Sequence, residues 1–151
     1  MALSKDETIW LENYKLLMDL IGYESKNYWD RYNVFLALNS GLLAALVLLG
    51  SRSPIMKLPL VGISFFGMIQ GIAWFLVVAR ASAYLRHWIK TAREIEENKL
   101  QQLTIFKKEE EFRSRLNGYE KAPIMKTVLV IPVLASALWF LLTLWVLIFM
   151  N

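Results

Sequence analysis

The sequence predicts an all-α integral membrane protein with three transmembrane helices and long cytoplasmic helical extensions. The first observation is Leu58 to Ala79, 22 positions without a charge. As a helix that run reaches about 33 Å, enough to cross a hydrocarbon core of roughly 30 Å. The second is a pair of similar runs, 18 residues from Asn33 to Gly50 and 24 from Thr127 to Met150. The third is helical periodicity in the charged segments between them, which marks amphipathic helices rather than loops.

Composition agrees with this class. Of the 151 residues 56% are apolar and 20% charged, too greasy a balance for an ordinary small soluble domain. A single domain is expected. The chain has no cysteine and one histidine, His87. Disulfides, thiolate metal sites, cysteine nucleophiles and histidine-rich metal clusters are therefore excluded within one chain, and no cofactor is expected. Lysine and arginine crowd the segment before the first run and the segment from Arg80 to Lys126, while only Arg52 and Lys57 lie in the short connection after the first run. The positive-inside rule then places the N-terminus and the 80–126 segment in the cytoplasm, and three spans leave the C-terminus outside. The first residues carry acids and no apolar core, so they do not read as a cleavable signal peptide.

In chain order, Ser4 and Glu7 have capping-box spacing. Trp10, Tyr14, Leu17, Ile21 and Tyr28 then recur on one face of a cytoplasmic helix over residues 8–32, opposed by Lys5, Glu12, Lys15, Asp19 and Lys26. That stripe is expected to bury against another cytoplasmic helix, because its polar face mixes acids with bases where a lipid-binding face would be basic. Only Gly22 interrupts the path into the first span at 33–50, where Tyr28, Trp29 and Tyr32 are expected as an aromatic collar. Asn39 is costly if exposed to lipid, so it should face a helix or a wet lumen, with Ser40, Gly41 and Ala45 beside it. Pro54 marks a hairpin turn to the second span, 58–79. There Gly67 and Gly71 form a GxxxG pair around Gln70, expected to pack closely on the small face of Gly41 and Ala45.

After Arg80 a cytoplasmic helix is expected over 80–116, with Tyr84, Trp88, Ile95, Leu100, Leu103 and Phe106 on its apolar face and a break at Thr104. Its acids, Glu94, Glu96 and Glu97 and then Glu109 to Glu111, read as a solvated ion-paired surface. Asn117 and Gly118 end it, and Pro123 precedes the third span at 127–150, where Pro132 can kink the helix and Ser136 belongs to a small packing strip. The polar and small residues of the spans are candidates for helix packing or pore lining. Arg80, Arg86 and Lys126 are candidates for lipid headgroup contact.

No catalytic template fits: GxSxG, the Walker loop, HExxH and GxGxxG are all missing. Arg80 and His87, in RASAYLRH, match the loose Arg-x4-6-His signature of HEPN ribonucleases. Seven positions on a straight helix separate them by about 10 Å, so such an activity needs a second subunit. Acids are interleaved with the bases of 80–126, and nucleic-acid binding is not expected.

The order WLENYKLLMDLIGYESKNYWDRYNVFLALNSGLL, then GIAWFLVVARASAYLRHWIKTAREIEEN, then a last span near the end resembles the RipA-family octameric membrane proteins of bacteria, with Trp74, Arg80, Tyr84 and Glu96 as anchors. The resemblance implies an inner-membrane homo-oligomer, an octamer, with helical stalks in a ring. The layout also resembles membrane accessory proteins of bacterial antiviral systems, some of which form octameric pores and carry a HEPN-like motif. Together these imply a pore or scaffold in stress response or antiviral defence without catalysis of its own, in contact with lipid and offering its stalk to a cytoplasmic partner. A membrane-tethered ribonuclease using Arg80 and His87 is the alternative.

Overall fold

The computed structural model describes residues 5–51, 57–100, 103–116 and 124–149, with the side chains of residues 57, 124–127 and 149 left aside. Four helices follow one another: α1 Lys5–Gly50, α2 Lys57–Lys99, α3 Ile105–Arg115 and α4 Ile124–Phe149. Helices α1, α2 and α4 are each long and apolar enough to cross a membrane. Gly22 leaves α1 unbroken, and Pro132 sits inside α4. Ser4, Pro54, Asn117, Gly118 and Pro123, on which the expected cap, turn and helix end rest, lie outside the described residues.

The chain divides into two compact units. One, here the polar unit, contains Met1–Tyr28 and Ala81–Pro123. The other, the spanning unit, contains Trp29–Arg80 and Ile124–Asn151.

In the polar unit, Tyr14, Ala92, Leu100 and Phe106 form a buried cluster, with Trp10, Leu17, Ile21, Ile89 and Ile95 packed around it. The α1 stripe expected from periodicity is the one that faces this cluster. Of the expected apolar face Leu100 and Phe106 are buried and Ile95 and Leu103 pack against them, but within α2 the buried residues are Ser82, Leu85, Ala92 and Glu96, while Tyr84 is half exposed. Small side chains let the helices approach, whereas the bulky Tyr84 does not fit between them. Contacts of Trp10 with Lys99 and of Tyr14 with Glu96 run α2 antiparallel to α1. Contacts of Glu96 with Phe106 and of Arg93 with Glu109 then return α3 antiparallel to α2.

The reversal explains why α2 stops at Lys99, short of the expected Leu103. Leu100 turns into the cluster, its N–H reaching Ile95 O at 3.1 Å, and the Leu103 N–H donates to Leu100 O at 2.8 Å. Helix α3 starts after Thr104, whose side chain makes no capping hydrogen bond. The cap comes from another helix: Glu96 Oε1 accepts the Phe106 N–H at 2.9 Å, and Glu96 Oε2 accepts the Tyr14 hydroxyl at 3.2 Å. An acid belongs at a helix start, where free N–H groups and the helix dipole favour negative charge. Glu96 is therefore no member of a solvated face; at 4% exposure it is a buried carboxylate binding three helices together. Glu109, by contrast, lies on the surface and pairs with Arg93 and Arg113.

Removing the Glu96 carboxylate strands a buried N–H and a buried hydroxyl, at a cost of about 1–3 kcal/mol. Glu96→Ala is expected to lose hydrogen-exchange protection first at the Phe106 amide, with α1 protection falling less. The same contact predicts a pH response. Burial, then the Glu96 charge, then their hydrogen bond raise Tyr14 from 10.0 to about 12. A raised folded value means that the stability Tyr14 contributes is complete below pH 10 and is lost as pH climbs through 12. Tyrosinate absorbance should show a late-ionising phenol that Tyr14→Phe removes.

Candidate functional site

Within the spanning unit Asn39 of α1 and Gly67 of α2 meet on one residue of α4. Trp139 is fully buried, and its indole N–H donates to Asn39 Oδ1 on α1. On α2, Gly67 lies flat against the same ring: any side chain there would enter the Trp139 indole. One turn along, a Cβ at Gly71 would meet Ser136, 3.1 Å from its Cα, and the Ser136 hydroxyl is occupied by donating to Pro132 O at 2.8 Å. The GxxxG pair therefore admits α4, not the expected small face of α1. Gly41 has open space around it, Ser40 is exposed with its hydroxyl donating to Leu36 O at 2.9 Å, and Ala45 is half-buried.

Gln70 ties α2 to α1 instead. Its amide Nε2 donates to the Phe35 carbonyl at 3.0 Å, while Trp74, one turn on, stacks parallel to the Phe35 ring at 6.2 Å and meets Tyr32 edge-on at 5.0 Å. Tyr32 is thereby buried, so of the expected aromatic collar Trp29 is the exposed member in this unit. Ser64 Oγ, Gln70 Oε1 and Trp74 Nε1 are buried without a hydrogen-bond partner among the described residues.

All three spans turn large apolar groups outward, on α1 Val34, Leu38, Val47 and Leu48, each more than half exposed. Helices α2 and α4 present large apolar groups, among them Phe66, Leu76, Leu134 and Leu141, each more than half exposed. Helix α1 exposes a strip of Asn33, Ala37, Ser40, Gly41 and Ala44 on the side away from Asn39. Arg80 and Arg86 are exposed, and the Lys126 side chain lies outside the described residues. His87 is exposed, its ring 5.1 Å from that of Trp88. Among the described residues no three His, Cys, Asp or Glu side chains are grouped to hold a metal ion.

Three long apolar helices closed around a shared indole make a membrane protomer, and a family model for octameric membrane proteins matches residues 11–148. The chain belongs to the octameric membrane protein family. No curated protein and no solved structure matches it. As a member of that family it is a membrane protein that assembles with copies of itself. The sequence singles out Asn39, Gly67, Gly71 and Ser136 but not Trp139, which joins Asn39 to Gly67. The signal available was spacing: Pro132, Ala135, Trp139 and Val146, three, four and seven apart, form the buried face of α4.

The two glycines give opposite predictions for one substitution. Gly67→Leu is expected to separate α4 from α2 and lower the thermal midpoint of the detergent-purified protein by many degrees. Gly41→Leu, which meets open space, is expected to leave that midpoint unchanged.

Proposed function

We propose that the protein forms a homo-oligomeric ring in the bacterial inner membrane, with α1 of each copy innermost and α2 and α4 toward lipid, and that the ring acts as a pore in stress response or antiviral defence without chemistry of its own. The observation that carries this is an exposed polar and small-residue strip on the α1 span, beside that helix's own large apolar side chains. Large apolar side chains suit lipid, whereas an exposed strip with Asn33, Ser40 and Gly41 suits water or a protein neighbour. Asn39 and Gln70 are already engaged inside one chain, which leaves Ser40 as the mid-span hydroxyl available to a lumen. The exposed strip carries no acid or base, so a lumen lined by it would have weak ion selectivity. The lysine and arginine distribution supports a cytoplasmic N-terminus and an exterior C-terminus, with Arg80, Arg86 and Lys126 meeting anionic headgroups.

The lack of native cysteine makes single-cysteine probing clean. In vesicles, Ser40→Cys is expected to react with a charged, water-soluble thiosulfonate that blocks bilayer conductance, while Phe66→Cys stays unreactive. An inert Ser40→Cys together with no conductance under any condition would remove the pore.

A further inference from the structure

Helix α3 holds to the rest of the polar unit by very little. Of its eleven residues Phe106 is the buried one, and most of the others are charged and exposed. Its start has no cap of its own, since the Thr104 side chain makes no hydrogen bond there. What docks it on α2 is the Phe106 N–H on Glu96 Oε1, the Arg93 guanidinium 5.6 Å from the centre of the Phe106 ring, and Arg93 with Glu109 at 3.8 Å. The last is a part-exposed ion pair and contributes little. Helices α1 and α2 pair without it: Tyr14 and Ala92 lie in the buried cluster, Trp10, Leu17, Ile21 and Ile89 pack around them, and Tyr14 donates to Glu96.

An isolated helix shorter than about 12–15 residues is marginal in water even when its sequence favours it. Eleven mostly charged residues without a side-chain cap fall below that length. Undocking Phe106 and melting α3 are therefore one event. Local opening of this kind is drawn from the parts of a fold with few buried apolar contacts.

We propose that α3 is a clasp, which melts away from α2 and re-forms there while α1 and α2 stay paired. Each opening uncovers Leu100 and one oxygen of the Glu96 carboxylate. Glu96 keeps Tyr14 as a donor in the open form and gives up the α3 amide. Arg93 is released at the same time from the Phe106 ring and from Glu109. Three positions apart on one helix, Arg93 and Glu96 are then free to pair with each other, which stabilises the open form. The clasp thus exchanges one set of partners for another, and anything that binds the open form better than the closed one holds it open.

Hydrogen exchange read by mass spectrometry on the full chain in nanodiscs tests the clasp. Amides of residues 108–115 are expected to be protected, yet about tenfold or more below those of residues 14–18 and 88–92. Phe106→Ala is expected to abolish protection across α3 and to open Lys107 and Lys108 to trypsin, while protection at 14–18 falls less than about tenfold. Phe106→Leu should restore most of the α3 protection. Glu96→Gln, which keeps an acceptor for the Phe106 N–H but not the charge, should lower α3 protection roughly fivefold. Equal protection of α3 and α1, lost in step in Phe106→Ala, would make the polar unit one cooperative body and overturn the clasp. An α3 that stays protected in Phe106→Ala would overturn it too, since something other than this docking then holds the helix.

Discussion

One indole holds the three spans. Trp139 of α4 gives its N–H to Asn39 of α1 and lays its ring on the bare backbone of α2 at Gly67. In hydrocarbon, burying apolar surface gives helices little reason to associate, since lipid tails are as apolar as leucine; close packing and satisfied polar groups must do it. A polar atom left facing lipid is costly, so Asn39 and the Trp139 N–H stabilise the packed state mainly by the penalty each would meet alone. Gly71 against Ser136, and Gln70 on the Phe35 carbonyl, extend the same arrangement along α2.

The polar unit answers the same constraint under different conditions. There water supplies a hydrophobic drive, and the cluster around Tyr14, Leu100 and Phe106 supplies the apolar area, each such side chain adding about 1.5–3 kcal/mol when fully buried. Glu96 decides how the helices are arranged within that cluster. A carboxylate can be buried there because its two oxygens find a hydroxyl on α1 and a helix start on α3. Both units turn apolar side chains outward, which suits a protomer that assembles with copies of itself.

Charge and periodicity made the three spans, the unbroken α1 and the buried stripe through Tyr14 legible in the sequence. The cost of an exposed amide identified Asn39 as a residue in need of a partner, but a face read from spacing does not name the helix it meets. From spacing alone the glycine pair fits the small face of α1; in the packed structure it lies against α4. Glu96 was hidden by its neighbours: among Lys90, Arg93, Glu94, Glu97 and Lys99 it looks like one more solvated acid. Its place four residues after the buried Ala92 and four before Leu100 was the clue. On α2 the conspicuous Tyr84 reads as part of the buried face, because small residues such as Ser82 and Ala92 mark close packing without raising the apolar signal. The assembly number was not in periodicity at all and entered through the family.

The coupling between Asn39 and Trp139 decides whether one indole holds the three spans. A double-mutant cycle on Asn39→Leu and Trp139→Phe, measured as reversible unfolding of the spanning helices in bilayer nanodiscs, isolates that hydrogen bond from the change in side-chain size. A favourable coupling of about 0.6–1.7 kcal/mol, the range for interhelical hydrogen bonds in membranes, is the result expected here. Strictly additive effects of the two substitutions would contradict it.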